Sequence, residues 1–161
     1  MAEAALGLGS NLGDKAATIE RAIDRVSKLP DTRLLRRSRL YRTEPWGDTE
    51  QDFFLNACAL VETTLPPEDL LDYMLGIELV LGRTREKTRR WGPRSIDIDL
   101  LFYGDEVRAG EKLTLPHPHL FERAFVLIPL AEIAGGKILS GRRLDDAAKA
   151  VDSTGIVVWT P

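Results

Sequence analysis

The sequence predicts an α+β fold in one domain over residues 1–161, a largely antiparallel sheet with helices packed on it. Two observations carry this. A chain of 161 residues can bury one real hydrophobic core. Its strand-like and helix-like stretches also lack the regular βαβ rhythm of a parallel sheet, and no repeat or low-complexity tract interrupts them.

Ala4 to Leu8 form a short apolar strand, and the GSNLGD that follows is a turn. Asp14 can cap a helix running to about Leu29, with Ile19, Ala22, Ile23 and Val26 at helical spacing. Leu34 to Arg42 alternates imperfectly and reads as one strand. TEPWGDTEQD is a loop broken by Pro45 and Gly47. Phe53 to Thr63 is a second long strand. Pro66 and Pro67 open a helix whose apolar face is Leu70, Leu71, Met74, Ile77 and Leu81, and Gly82 stops it. RTREKTRRWGPR is polar, basic and aperiodic, a long loop of the functional or disordered kind. Ser95 to Tyr103 is the third clear strand. Leu113 to Leu115 is a short extended piece, Arg123 to Ile133 a helix, Leu144 to Val151 a helix and Ile156 to Trp159 an edge strand.

Apolar residues make up 43% and charged residues 29%, an ordinary composition for a soluble globular protein. A net charge of −3 argues against a surface dedicated to nucleic acid, though a local basic patch is compatible with it. The single cysteine, Cys58, excludes an internal disulfide, and its apolar neighbours make it a buried small hydrophobe. No stretch approaches the roughly 20 apolar residues of a membrane span. The N-terminus lacks a signal-peptide pattern, so the expected location is the cytoplasm.

The most informative segment is RSIDIDLLFY. In a strand, Ile96, Ile98, Leu100 and Phe102 face a core, while Asp97 and Asp99 share the opposite face. Asp is disfavoured in strands and two like charges repel, so a cation between them removes both problems. Hard oxygen ligands without a Cys/His cluster favour Mg²⁺, and such a pair can hold the two metals of a phosphoryl-transfer site. A bare D-x-D is nonetheless a weak motif that reads more readily as two solvated aspartates on an open sheet face; the flanking residues shift the balance.

Just before this strand come Arg83, Arg85, Lys87, Arg89, Arg90 and Arg94. Guanidinium groups match phosphate oxygens in bidentate geometry, so the loop fits a polyphosphate clamp; alone, it also fits a solvated loop or an RNA patch. In LPHPHL, His117 is held between Pro116 and Pro118 and can donate to a phosphate, whereas His119 reads as structural. GLGSNLG does not match the dinucleotide fingerprint, and no P-loop exists. Phe54, Phe125 and Asn56 can stack on and hydrogen-bond a flat heterocycle, although core packing is the default for Phe.

Together these segments resemble the 6-hydroxymethyl-7,8-dihydropterin pyrophosphokinase family. The resemblance runs through LGLGSNLGD, YRTEPWG, DFFLNACALVET, IELVLGRTR, RWGPRSIDIDLLFYGDE and LTLPHPHLFERAFVLIPLAEIA, about Leu6 to Ala134. It implies a ferredoxin-like fold and transfer of diphosphate from ATP to the pterin hydroxymethyl group, with AMP leaving. Asp97 and Asp99 would hold two Mg²⁺, and Arg83 and Arg94 would complete the catalytic set. ATP would be contacted by Glu78, Arg83, Arg90, Arg94, Leu100, Lys112, Thr114 and His117. The pterin would meet Thr43, Pro45, Trp46, Phe54, Asn56, Arg123 and Phe125. Phe54 stands where many members carry Tyr, and Pro118 where some do. The expected partners are the two small molecules alone, with no nucleic acid and no membrane, on a monomer. The competing readings are another Mg²⁺-dependent D-x-D nucleotidyl or sugar transferase, and an RNA-binding α+β module.

Overall fold

Small and apolar residues alternate along β1 (Ala2–Ser10), and the strand is correspondingly enclosed: Ala4, Ala5 and Leu6 have no exposed surface. The computed structural model describes residues 1–44, 52–82 and 95–161. Around β1 lie α1 (Lys15–Ser27), β2 (Thr32–Arg37), β3 (Tyr41–Thr43), β4 (Phe54–Thr63), α2 (Pro67–Leu81) and β5 (Asp97–Tyr103). The main sheet runs β3-β4-β1-β5, with β2 also on β4, and every pairing is antiparallel. With β2 and β3 as one interrupted strand, this is the βαββαβ ferredoxin-like arrangement.

The helices begin where their sequences dictate. Asp14 caps α1, its Oδ1 accepting the Ala17 N–H at 3.1 Å, a bond of about 1 kcal/mol. Pro67 occupies the first turn of α2, where its missing N–H costs nothing, and Glu68 and Asp69 suit the positive end of the helix dipole. Ile19, Ala22, Ile23 and Val26 from α1, and Leu70, Met74 and Ile77 from α2, bury against Leu6, Leu8, Leu55, Ala57, Ile98 and Leu100. Leu71 and Leu81, expected on the same face of α2, are only partly buried. At the end of α2 a Cβ on Gly82 would lie 2.3 Å from the Ser95 Cβ. Glycine therefore lets α2 end directly beside the foot of β5.

The second face of the sheet is covered by α3 (Ala124–Ala134) and α4 (Leu144–Ala150). Leu127, Leu130 and Ile133 pack with Cys58, Leu60, Leu101, Phe102 and Leu144 into a second core. Two hairpins complete the chain, β6 (Arg108–Ala109) with β7 (Thr114–Leu115), and β8 (Ile138–Leu139) with β9 (Arg142–Arg143). The tail returns as β10 (Ile156–Val158), which pairs with β3 as an edge strand.

Two expectations are corrected. Leu34 to Arg42 is not one strand. The chain breaks between β2 and β3, where Ser38 donates its N–H to the Cys58 carbonyl and accepts the Cys58 N–H on Oγ. Leu35 is an extra residue in the β2–β4 register and turns toward the second core. Phe102 does not share the core of Ile98 and Leu100. Leu101 has no partner in the register between Leu6↔Leu100 and Ala5↔Phe102, and this bulge sends both Leu101 and Phe102 to the second core.

Candidate active site

The two aspartates of β5 precede the bulge, so they keep the shared face that strand alternation assigns them. Across the sheet Asp97 pairs with Gly9 and Asp99 with Gly7, and these glycines pair in turn with Asn56 and Cys58. Asn56 pairs with Tyr41, and Phe54 with Thr43. One face of the sheet thus carries carboxylates on β5, no side chains at Gly7 and Gly9 of β1, and an amide and an aromatic ring on β4. Asp97 and Asn56 stand two strand spacings apart, about 10 Å. A side chain at Gly9 would crowd this amide, since a Cβ would meet Asn56 Oδ1 at 2.8 Å.

The helical layer bounds this face. Cys58 is sealed beneath α3, its thiol directed to the Val126 carbonyl at 3.7 Å, and burial raises its pKa well above the ordinary thiol range. The covered part of the face ends there; Phe54 and Asp99 remain partly exposed and Asp97 is exposed. The start of α3 lies along the boundary, with Arg123 and Phe125 both half-buried and the guanidinium 5.9 Å from the ring centroid.

His117 reaches the same place from below. Its N–H donates to the Leu101 carbonyl at 2.8 Å, and its Nδ1 accepts the His119 N–H at 3.2 Å. Burial lowers the His117 pKa, the Asp99 charge opposes that, and Arg123 and His119 lower it further. The ring is therefore neutral near pH 7, and with Nδ1 accepting, Nε2 carries the proton and can donate.

Glu78 is buried, and its Oε2 accepts the Ile98 N–H at 2.7 Å, between the two aspartates in sequence. It grips the β5 backbone from α2. Leu100 points into the first core, so only its main chain is available to a ligand. Thr114 and Lys112 lie on the β6–β7 hairpin, where Lys112 is exposed and pairs with Asp72 at 3.0 Å. Thr43 and Asn56 are buried and joined, Nδ2 donating to Oγ1 at 3.3 Å. Pro45, Trp46, Arg83, Arg90 and Arg94 lie outside the described residues. The described residues Gly82 and Ser95 lie side by side, the latter two residues before Asp97.

Sequence reasoning missed Gly7 and Gly9 as the floor of the site. The signal was there, two glycines at i and i+2, but Gly7 carries no role within the expected strand and Gly9 falls in the expected turn, whereas both lie in β1. It also missed Tyr41 and Glu132, whose hydroxyl and carboxylate bond across 91 positions. No group of three metal-ligating side chains exists among the described residues. Asp97 and Asp99 are hard oxygen donors beside an open floor, which fits Mg²⁺, an ion that keeps water and substrate oxygens among its ligands.

A ferredoxin-like sheet with two carboxylates on one strand and a histidine close by is an arrangement suited to a small phosphoryl-transfer enzyme. The chain belongs to the 7,8-dihydro-6-hydroxymethylpterin-pyrophosphokinase (HPPK) family, whose profile matches residues 5–135. It is 51% identical, over 97% of its length and 98% of the relative's, to a 2-amino-4-hydroxy-6-hydroxymethyldihydropteridine pyrophosphokinase of Methylorubrum extorquens. It is 41% identical to the protein of the same name from Pseudomonas aeruginosa, over 94% and 93% of the two chains. Its fold matches an HPPK-DHPS crystallised with substrates at a TM-score of 0.71 and 13% identity, covering 93% of this chain and 45% of that one.

Proposed function

We propose that the chain transfers a diphosphate group from ATP to the hydroxymethyl group of 6-hydroxymethyl-7,8-dihydropterin, releasing AMP, as a step in folate biosynthesis. The observation that carries this is the single sheet face on which Asp97 and Asp99 share a glycine floor with Asn56 and Phe54. Family membership supplies the reaction class.

Asp97 and Asp99 would hold Mg²⁺, two ions in this reading. Bound there, the metal neutralises polyphosphate charge and makes the substrate hydroxyl more acidic. Phe54 and Phe125 stack on the pterin, and Asn56, oriented by Thr43, reads its polar edge. Pro45, Trp46 and Arg123 complete that side. His117 donates Nε2–H to a phosphate oxygen. Arg83, Arg90 and Arg94, with Lys112 and Thr114, bear on the triphosphate; Glu78 and the Leu100 main chain fix the strand beneath the nucleotide. No side chain is needed as general base, because positioning and charge stabilisation carry most of a phosphoryl transfer. The unit acts as one catalytic domain and as a monomer in the cytoplasm, without nucleic acid or membrane. No helix among the described residues is long and apolar enough to cross a membrane.

The test is a product assay with ATP, Mg²⁺ and the pterin, resolving AMP from ADP. AMP that requires the pterin and vanishes with EDTA supports the reading. ADP means a simple kinase attacking the terminal phosphate. No turnover by folded protein sinks the reading and redirects attention to an RNA titration across salt.

A further inference from the structure

Away from the reacting atoms, one polar cluster ties the two walls of the proposed pterin slot together. Tyr41 is 5% exposed, and its hydroxyl donates to Glu132 Oε1. The same carboxylate accepts the Arg39 main-chain N–H at 3.1 Å and its Nε–H at 3.3 Å, while Arg39 also donates to the Tyr41 oxygen at 3.3 Å. A carboxylate with three donors, one a buried phenol, is a stronger and more directional tie than a solvated ion pair.

The cluster joins two particular elements. Tyr41 lies on β3, paired with Asn56 and two residues from Thr43. Glu132 lies on α3 seven residues after Phe125, two helical turns along and therefore on the same side of the helix. β3 is only three residues long.

We propose that Tyr41, Glu132 and Arg39 form a positioning clamp that seats α3 against β3, and so sets the gap in which Phe125 and Phe54 receive the pterin. This rests on the reading of those two rings as the stacking faces. The clamp touches neither substrate. It acts on pterin recognition and leaves the nucleotide side, held by β5 and the β6–β7 hairpin, unaffected.

The experiment is steady-state kinetics with both substrates varied, alongside fluorescence-detected pterin binding and a thermal melt for each variant. Tyr41→Phe and Glu132→Ala should raise the pterin KM about tenfold, since a misplacement near 1 Å can cost up to a hundredfold. The ATP KM should stay within about twofold, and the double variant should be no worse than the weaker single one. Glu132→Gln keeps an acceptor for the tyrosine hydroxyl and should recover most of the pterin affinity. A lowered Tm with unchanged pterin KM, or an equal rise in both KM values, overturns the clamp. Phe54→Ala and Phe125→Ala distinguish the two levels: if they leave pterin binding intact, the slot reading fails and the clamp with it. If they weaken binding while the clamp variants do not, only the clamp fails. Should Glu132→Ala not fold, Tyr41→Phe, which removes one oxygen and keeps the ring packing, decides alone.

Discussion

At the scale of single residues, the site is defined as much by missing side chains as by present ones. Asp97 and Asp99 supply charge, but Gly7 and Gly9 supply the space in front of it. Asp97→Ala should lower kcat by about a thousandfold, the magnitude typical of removing an electrostatic contact made in the transition state. Its melting curve should be unchanged because Asp97 is exposed; normal turnover at saturating Mg²⁺ would falsify the metal assignment. Gly9→Ala tests the floor. Its Cβ would sit 2.8 Å from Asn56 Oδ1, so the amide must shift away from its position beside Thr43. The pterin KM should rise at least severalfold while the ATP KM holds, and an unaltered pterin KM would show that Asn56 does not read the pterin.

At the scale of elements, the strands were legible wherever alternation was unbroken. Ile96, Asp97, Ile98 and Asp99 read correctly because nothing disturbs the pleat there. Phe102 did not, because the bulge at Leu101 carries no glycine or proline to announce it. Leu34 to Arg42 failed for a related reason, since the break at Ser38 is made by hydrogen bonds to Cys58, twenty residues away. Local pattern was enough to single out the D-x-D, His117, Phe54 and Asn56 as candidates. The Tyr41–Glu132 bond was not, because only the finished fold brings α3 over β3. The edge strand expected at Ile156 to Trp159 is present as β10, though nothing in its composition named its neighbour. β10 pairs with β3, and the Trp159 N–H donates to the Leu40 carbonyl at 2.9 Å. Truncation after Ala150 leaves β3 as an edge strand. It should lower the Tm by about 2–8 °C, the shift expected for one to two kcal/mol in a chain of this size, and raise the pterin KM through Thr43. A truncated protein with wild-type melting and kinetics would remove the tail from the account.

At the scale of the whole molecule, charge links distant parts of the chain and makes stability depend on acid. Four carboxyl groups among the described residues sit below their ordinary range, and three of them tie distant parts of the chain together. Burial pushes Glu132 up, but the Tyr41 hydroxyl and the Arg39 donors outweigh it. Asp52 is lowered by its bond from Lys15 and by the Phe53 N–H, and Asp105 by its bond from Lys137. A depressed folded-state pKa means that the unfolded chain binds the proton more readily. Each group's contribution is therefore complete above its ordinary pKa of 4.5 for Glu or 3.8 for Asp, and is lost as pH falls through the lower folded value. Urea midpoints should begin to fall below about pH 6.5, where the unfolded chain protonates His117 more readily than the folded one, and fall more steeply below about pH 5 as the carboxyl groups follow. Glu132→Gln should reduce that acid dependence; an identical pH profile would show that the cluster does not couple to folding.

The chain's single thiol belongs to Cys58, locked between sheet and helix. The native protein therefore gives a silent background to thiol chemistry. A cysteine placed on an exposed position, such as Val107 on the turn before β6, becomes the one site a maleimide dye will find. Pairing it with a second introduced cysteine on α1 would turn the folded enzyme into a ruler for watching substrate arrival by energy transfer, with no need to remove a native residue first.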